Sequence, residues 1–171
     1  MRTLLHFLIA MELASSAAAA IASCSPIPGA VQVWSKAFVH WVFIGELHGS
    51  NETPDAFRDL VCDALAQGKS ITVALERPTS EQTALDGILT AKNLSTAKRA
   101  LLQQPGWKDG MDGRASEAML RLLVSLRELG KSYPGLGVFA FDAPYTGTVP
   151  GARDEAMGRA CFHCERQNRM I

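Results

Sequence analysis

Ionisable side chains that could transfer protons or bind a metal ion follow short apolar runs in this sequence. Glu46 and His48 come after one run, Glu76 after a second and Asp142 after a third. A histidine can act as a general base near neutral pH, and a neighbouring carboxylate can orient it. Imidazole and carboxylate groups also ligate divalent cations. We therefore take Glu46, His48 and Glu76 as candidate catalytic residues and as candidate metal ligands.

The spacing of the first pair supports a shared site. Glu46 and His48 are two residues apart, so an extended backbone would direct both side chains to one side. Gly45 and Gly49 flank the pair and permit close approach of another backbone. A single carboxylate or histidine at a strand end is usually solvated or structural. The joint placement with Glu76 is what favours a functional site.

Three apolar runs, at 41–44, 71–75 and 138–141, are typical of buried β-strands. The stretches between them have helical spacing of apolar residues. Strands separated by helices pair in parallel through right-handed crossovers. The sequence thus predicts an α/β fold with a parallel β-sheet flanked by helices, and ligands of such sheets bind beyond the carboxyl ends of the strands.

Local signals set the expected helix boundaries. The first helix is expected over 53–68, with Thr53 as its N-cap and a terminating glycine. Residues 79–82 have the form of a capping box and should open the second. Further helices are expected over 96–103 and from the N-cap Ser116 to Gly130.

The N-terminus has the features of a signal peptide over residues 1–24. Arg2 supplies the positive start, an apolar run covers 4–11, and small residues fill 14–23. An uncleaved amphipathic helix is the alternative. We expect an exported protein in the periplasm or the cell envelope.

Residues 21–24, Ile-Ala-Ser-Cys, resemble a bacterial lipobox, in which the cysteine is lipidated. Lipidation of Cys24 would anchor the chain to a membrane; the alternative is a chance cysteine near an ordinary cleavage site. Residues 25–36 would then form a tether. Cys161 and Cys164 form a C-x-x-C pair, which suits a local disulfide better than zinc, since half of a structural zinc ligand set is missing.

Charge composition bears on the partner. Lys plus Arg and Asp plus Glu both number 17, so the net charge is zero. A protein that binds the phosphates of nucleic acid usually carries a basic excess. We expect a small-molecule or peptide substrate and no nucleic acid.

Four segments together resemble the haem-binding-uptake, Tiki and erythromycin-esterase-like superfamily, and within it exported ChaN-like proteins. They are GELHGSNETP at 45–54, VALERPTSEQ at 73–82, DGR-x-S-x-A-M at 112–119 and RD-x-x-M at 153–157. The resemblance implies a parallel sheet between helices, with the motif residues at its carboxyl edge. It places an α/β domain over 37–159.

The resemblance implies several activities. Tiki-like members are metal-dependent peptidases, esterase-like members use the histidine as a general base, and ChaN-like members bind haem. We expect a hydrolase, metal-dependent or not, with His48 as base or ligand and Asp142 near the substrate. Arg114 would bind an anionic substrate group or form a salt bridge to Asp142 or Asp112. The alternative is haem or iron uptake, for which Tyr133 and Tyr145 are the available tyrosine ligands.

The end of the sequence departs from the superfamily pattern. We expect a further strand with another histidine after 153–157, but residues 160–171 have neither helical nor strand periodicity. A frameshift or a premature stop would explain this atypical tail. An inactive, truncated remnant is therefore a third expectation for the function.

Overall fold

The computed structural model describes residues 24–110, 112–142 and 151–168. The predicted signal peptide lies outside the described residues except for Cys24. The elements are the helices α1 (Ala30–Trp34), α2 (Glu52–Ala66), α3 (Gln82–Thr90), α4 (Leu94–Leu102), α5 (Pro105–Lys108), α6 (Glu117–Ser132) and α7 (Ala152–Asn168), the strands β1 (Ile71–Pro78) and β2 (Leu136–Asp142), and a 3-10 turn at Thr79–Glu81. In this part of the chain, no helix is both long and apolar enough to cross a bilayer.

The sheet confirms the predicted α/β class. β1 and β2 pair in parallel, from Ile71 opposite Leu136 to Leu75 opposite Ala140. The crossover between them runs through α3 to α6. Since both strands run the same way, their carboxyl ends, with Glu76 and Asp142, meet at one edge of the sheet.

Residues 41–44 do not form the strand that their apolar sequence predicts. The Trp41 ring stacks on Phe43, with centroids 6.1 Å apart, and meets Phe162 of α7 edge-on at 5.9 Å. Trp41 thus contacts both Phe43 of its own segment and α7, and the segment lies outside the sheet. The edge of β1 away from β2 consequently has no strand beside it in the described part of the chain.

One face of β1 builds the core. Val73 and Leu75 alternate with more exposed residues and are almost fully buried. Helix α6 buries its apolar stripe against the same core, together with Leu85 and Ile88 of α3. The buried stripe of α6 consists of Met119, Leu122, Leu123, Leu126 and Leu129. The core therefore holds the sheet rigidly behind the strand ends.

The residues expected to form a capping box pack differently. Neither Thr79 nor Glu81 caps the turn or α3 through a side chain. The Gln82 carboxamide instead pairs with β2, accepting from the Ala140 N–H at 2.8 Å and donating to the Val138 carbonyl at 3.2 Å. The side chain thus satisfies the outer backbone edge of β2 in place of another strand.

A buried ion pair fixes the end of β1. The Arg77 guanidinium donates two hydrogen bonds of 2.9 Å to Glu81, and both residues are 2% exposed. The Trp107 indole N–H also donates to Glu81, at 3.2 Å, and its ring lies under the guanidinium. Removing one partner would leave a buried unpaired charge, which costs about 3–5 kcal/mol.

Helix boundaries follow the local signals in part. Ser116 caps α6 as predicted, by accepting from the Met119 N–H at 3.2 Å. Helix α6 continues past Gly130 to Ser132, and Asn51 rather than Thr53 precedes α2. Gly68, with a φ of 76°, follows the end of α2 as predicted, whereas Gly130 lies inside α6.

Two segments contain helices that their expected assignments did not include. The expected tether, 25–36, contains α1, and Cys24 forms a disulfide with Cys62 of α2. The packing of α1 and the disulfide both hold this segment against α2. The boundary expected at 159 falls inside α7, because the atypical tail continues that helix as far as Asn168.

Candidate functional site

His48 lies between two carboxylates at the carboxyl end of β1. Its Nδ1 atom is 3.3 Å from Glu46 Oε2, and its Nε2 atom is 3.8 Å from Glu76 Oε2. Glu46 and His48 belong to the loop before α2, whereas Glu76 belongs to the strand. The structure therefore brings together the three residues that the sequence singles out, with the imidazole in the middle.

The contacts of this imidazole are close but incomplete. Nδ1 of His48 and Oε1 of Glu46 are buried, and neither has a hydrogen-bond partner among the described residues. The 3.3 Å contact between the two side chains is thus an ion-pair distance without hydrogen-bond alignment. At 3.8 Å, Glu76 is also beyond hydrogen-bond range of Nε2. Nδ1 is enclosed beside Glu46, which leaves Nε2 as the ring nitrogen that a bound molecule can approach.

Two guanidinium groups connect the strand ends. Arg114 Nη1 donates to Asp142 at 2.9 Å and to Glu76 at 3.2 Å. Arg153, from the first turn of α7, donates to Glu76 at 2.8 Å and lies 3.0 Å from Asp142. Arg114 also donates to Asp112 at 2.8 Å. The salt bridges expected as the alternative role of Arg114 are therefore present.

Two glycines let the Arg114 loop reach His48. Gly49 and Gly113 both have positive φ, at 84° each. A Cβ atom on Gly113 would lie 2.6 Å from the Gly49 nitrogen and 2.6 Å from the His48 carbonyl carbon. Only a residue without a side chain permits this contact. The close approach of the two loops places Arg114 beside the imidazole.

The ion pairs shift the pKa values of the charged groups. Hydrogen bonds from the Arg114 side chain and backbone lower the pKa of Asp112. The bond to Asp112 raises the pKa of Arg114, and the bonds to Glu76 and then Asp142 raise that of Arg153. All three shifts favour the charged forms. Asp112, Arg114 and Arg153 therefore remain charged over the physiological pH range.

The expected metal ligands are not arranged as one cation site. Glu46 and Glu76 lie against opposite nitrogens of His48, so a single ion could not bind the imidazole and both carboxylates in this geometry. Glu76 is in addition bound to two guanidinium groups. Within the described residues, no three His, Cys, Asp or Glu side chains converge as metal ligands would. The arrangement suits proton transfer better.

Sequence reasoning did not name Asp112 and Arg153 as site residues. Both lie in segments that carry the resemblance, Asp112 in DGR and Arg153 in RD-x-x-M. Their recurrence in these motifs was a usable signal. Of the tyrosines considered as haem ligands, Tyr133 packs against the hydrophobic core and Tyr145 lies outside the described residues.

The chain matches no family model, no curated protein and no solved structure. The resemblance to the haem-binding-uptake and Tiki superfamily thus rests on the motif residues alone. Any inference about function has to begin from the geometry of the Glu46–His48–Glu76 cluster.

Proposed function

We propose that this protein is an exported hydrolase, similar to the haem-binding-uptake, Tiki and erythromycin-esterase-like superfamily, in which His48 is the general base. The observation that supports it most is the imidazole of His48 between the carboxylates of Glu46 and Glu76, at the carboxyl end of a parallel strand. Ligands of parallel α/β sheets bind at this edge.

The proposed step is the attack of water on an ester carbonyl. Neutral His48 takes a proton from the water as its oxygen bonds to the carbonyl carbon, and the imidazolium then returns the proton to the departing alkoxide. Glu46, 3.3 Å from Nδ1, stabilises the positive charge that the ring acquires. Glu76 borders the other nitrogen and is held in place by Arg114 and Arg153.

The arginines have a positioning role in this mechanism. Arg114 is bound to Glu76, Asp112 and Asp142, so its charge is already neutralised within the cluster. An anionic substrate group would have to displace one of these carboxylates. With four carboxylates and two guanidinium groups, the cluster favours an uncharged substrate over an anion.

Hydrolysis of neutral esters by purified protein tests the proposal. We expect His48→Ala to lower kcat by about 100-fold or more, the usual contribution of a general base. Gln103→Ala is the surface control, since Gln103 is exposed at the end of α4 and outside both the charged cluster and the loop of His48, and it should retain activity. Wild-type activity that survives His48→Ala would exclude the mechanism.

A chelator distinguishes a metal-independent hydrolase from a metal-dependent one. Because the carboxylates lie on opposite sides of the imidazole, we expect turnover to persist in EDTA and to gain little from added Zn²⁺ or Mn²⁺. Loss of activity in EDTA with recovery on adding metal would instead favour the metallopeptidase-like alternative, and peptide substrates should then be tried.

Export is supported by the N-terminal sequence and by the Cys24–Cys62 disulfide, since such bonds persist mainly in oxidising compartments. A thioether to lipid and a disulfide cannot share the Cys24 sulfur, so the anchored and disulfide-bonded forms exclude each other. Fractionation separates them: a lipoprotein would leave the membrane fraction on Cys24→Ala, whereas a periplasmic protein would not change its partitioning.

A further inference from the structure

A cavity of about 1080 Å³ lies along the open edge of β1 and reaches the candidate site. The segment 39–46 forms one wall, and β1 forms the opposite wall. Glu46, His48 and Glu76 line one part of it. The cavity is therefore continuous with the proposed proton-transfer groups.

The other walls are largely apolar. Phe57 and Leu60 contribute from α2, and Phe139 and Phe141 contribute from β2. Ile44 lines the cavity while remaining 43% exposed. Ligand pockets usually have volumes of about 300–1000 Å³ and mostly hydrophobic walls with a few polar groups. This cavity has the size and composition of a site for a medium-sized organic molecule.

Three residues that line the cavity each have a buried polar atom without a hydrogen-bond partner among the described residues. Among the described residues, the buried side-chain atoms without a hydrogen bond are Trp34 Nε1, Glu46 Oε1, His48 Nδ1 and Arg127 Nε. The first three belong to residues that line this cavity. Buried polar atoms normally have a hydrogen-bond partner, so each exception needs an explanation. Because these atoms are closed to solvent, the polar contacts of a bound molecule would come from the exposed parts of the Glu46, His48 and Glu76 side chains.

We propose that the cavity binds the apolar portion of the substrate, an uncharged ester. The role of the cavity as a substrate site rests on the proposed hydrolase function, whereas its binding of an apolar molecule does not. The apolar body lies between the segment 39–46 and β1, and the ester carbonyl lies at His48. Carboxylates outnumber guanidinium groups at this end, so anions are disfavoured.

Binding of N-phenyl-1-naphthylamine tests the cavity without catalysis. This neutral probe is apolar, has one N–H donor and becomes fluorescent when it leaves water. We expect saturable emission, sensitised by Trp34 and Trp41, which both line the cavity. A signal that does not saturate, or no signal, would overturn the proposal.

Two matched substitutions locate the binding. Ile44→Asp places a charge in the cavity wall and should weaken probe binding by at least about tenfold, because an apolar probe seated there would remove water from the new carboxylate. Leu102→Asp is the control because Leu102 is equally exposed, at 41%, and lies on α4. Its probe affinity should stay within about twofold of wild type. Equal loss in both variants would overturn the assignment.

A series of 4-nitrophenyl esters then connects the cavity to turnover. From acetate to hexanoate, kcat/KM should rise at least about tenfold, because each buried methylene can contribute up to roughly fourfold. Probe binding without hydrolysis would support the cavity and exclude the hydrolase. Hydrolysis that is independent of acyl length, with no probe binding, would support the hydrolase and exclude the cavity as its substrate site. Slow amide exchange at 41–44 without probe binding would show that this segment itself closes onto β1, which overturns the proposal.

Discussion

At the level of single residues, the candidate site depends on glycines as well as on charged groups. Gly113 and Gly49 touch where the Arg114 loop crosses the loop of His48, with the Gly113 Cα within 3.5 Å of where a Cβ on Gly49 would lie. Positive φ at both positions lets the two backbones approach without strain. The distance between Arg114 and His48 is therefore set by the absence of side chains.

Gly113→Ala should separate these loops. The new Cβ would lie within 2.6 Å of backbone atoms of His48 and Gly49, and alanine at a φ of 84° is strained. We expect a loss of about 2 kcal/mol or more in the free energy of unfolding, measured by urea titration. Hydrolytic activity should fall with it.

The control for that substitution is Gly130→Ala. Gly130 lies inside α6, and a Cβ there meets nothing within 4 Å. Alanine should raise the free energy of unfolding by roughly 0.5–1 kcal/mol, because glycine is a poor helix former. If Gly113→Ala proved as harmless as this control, the close packing of the two loops would be wrong.

Asp112 should make stability depend on pH. Hydrogen bonds from Arg114 lower its pKa below the usual 3.8, so its contribution is present above that value. The contribution is lost as the pH falls through the lowered pKa of the folded protein. The difference in unfolding free energy between wild type and Asp112→Asn should be constant above about pH 5 and shrink toward pH 2.

The size of that effect is limited because Asp112 is half exposed and water screens the pair. Urea titrations of both proteins across this range measure it. A difference that stays the same at every pH would show that Asp112 acts through something other than its charge.

At the level of elements, α7 is joined to the sheet through the charged cluster. Arg153 lies in the first turn of α7 and bonds Glu76 of β1 and Asp142 of β2. Beyond these contacts, Phe162 packs on Trp41 of the segment beside the cavity. The helix thus covers the cavity while its first turn is attached to the candidate site.

Arg153→Met should loosen α7. The substitution keeps an apolar stem but removes both ion pairs, so the helix should open more often and its amides should exchange faster. Because Arg153 is partly exposed, we expect an acceleration of only about two- to fivefold. Hydrogen exchange followed by mass spectrometry over 152–168 measures it.

Arg159→Met is the matched control for the helix. Arg159 pairs with Glu155 on the same helix and makes no ion pair with the sheet. Removal of the Arg159 guanidinium should leave the amide hydrogen exchange of α7 close to the wild-type rate. Equal acceleration in both variants would mean that Arg153 affects the helix itself rather than its attachment.

At the level of the whole molecule, the disulfide links the start of the described chain to α2. Cys24 and Cys62 are 38 residues apart, and Cys62 is fully buried. Closing a loop of this length restricts the unfolded chain and stabilises the fold by roughly 2–4 kcal/mol. The segment expected to be a tether is thereby part of the folded domain.

Cys24→Ser should lower the free energy of unfolding by that amount. Dithiothreitol should reduce the stability of the wild type similarly and that of the variant much less, because the variant has lost this bond. Urea titration with and without reductant gives all four values. An equal response of both proteins to the reductant would contradict the Cys24–Cys62 pairing.

Local patterns in the sequence were enough to predict the α/β class of the fold and to group Glu46, His48 and Glu76 as a candidate site. Apolar runs alternating with helical spacing are local patterns, and they specify parallel strands whose ends gather at one edge. Glu46 and His48 are joined by local spacing, and Glu76 follows from the end of β1. Burial of β1 and the Ser116 cap were predictable for the same reason.

The hydrogen-bond partners of the site residues depend on contacts between segments that are far apart in the sequence. Arg153 is 77 residues from Glu76, and Arg114 is 28 from Asp142, so their pairing depends on the paths of the loops. The capping box expected at 79–82 does not form, because the Gln82 carboxamide bonds the backbone of β2 instead. Likewise, 41–44 has the sequence of a strand, but the Trp41 ring contacts Phe162 of α7 and the segment does not join the sheet. Local patterns encode which residues are buried, whereas the choice among competing partners is made by packing of the whole chain.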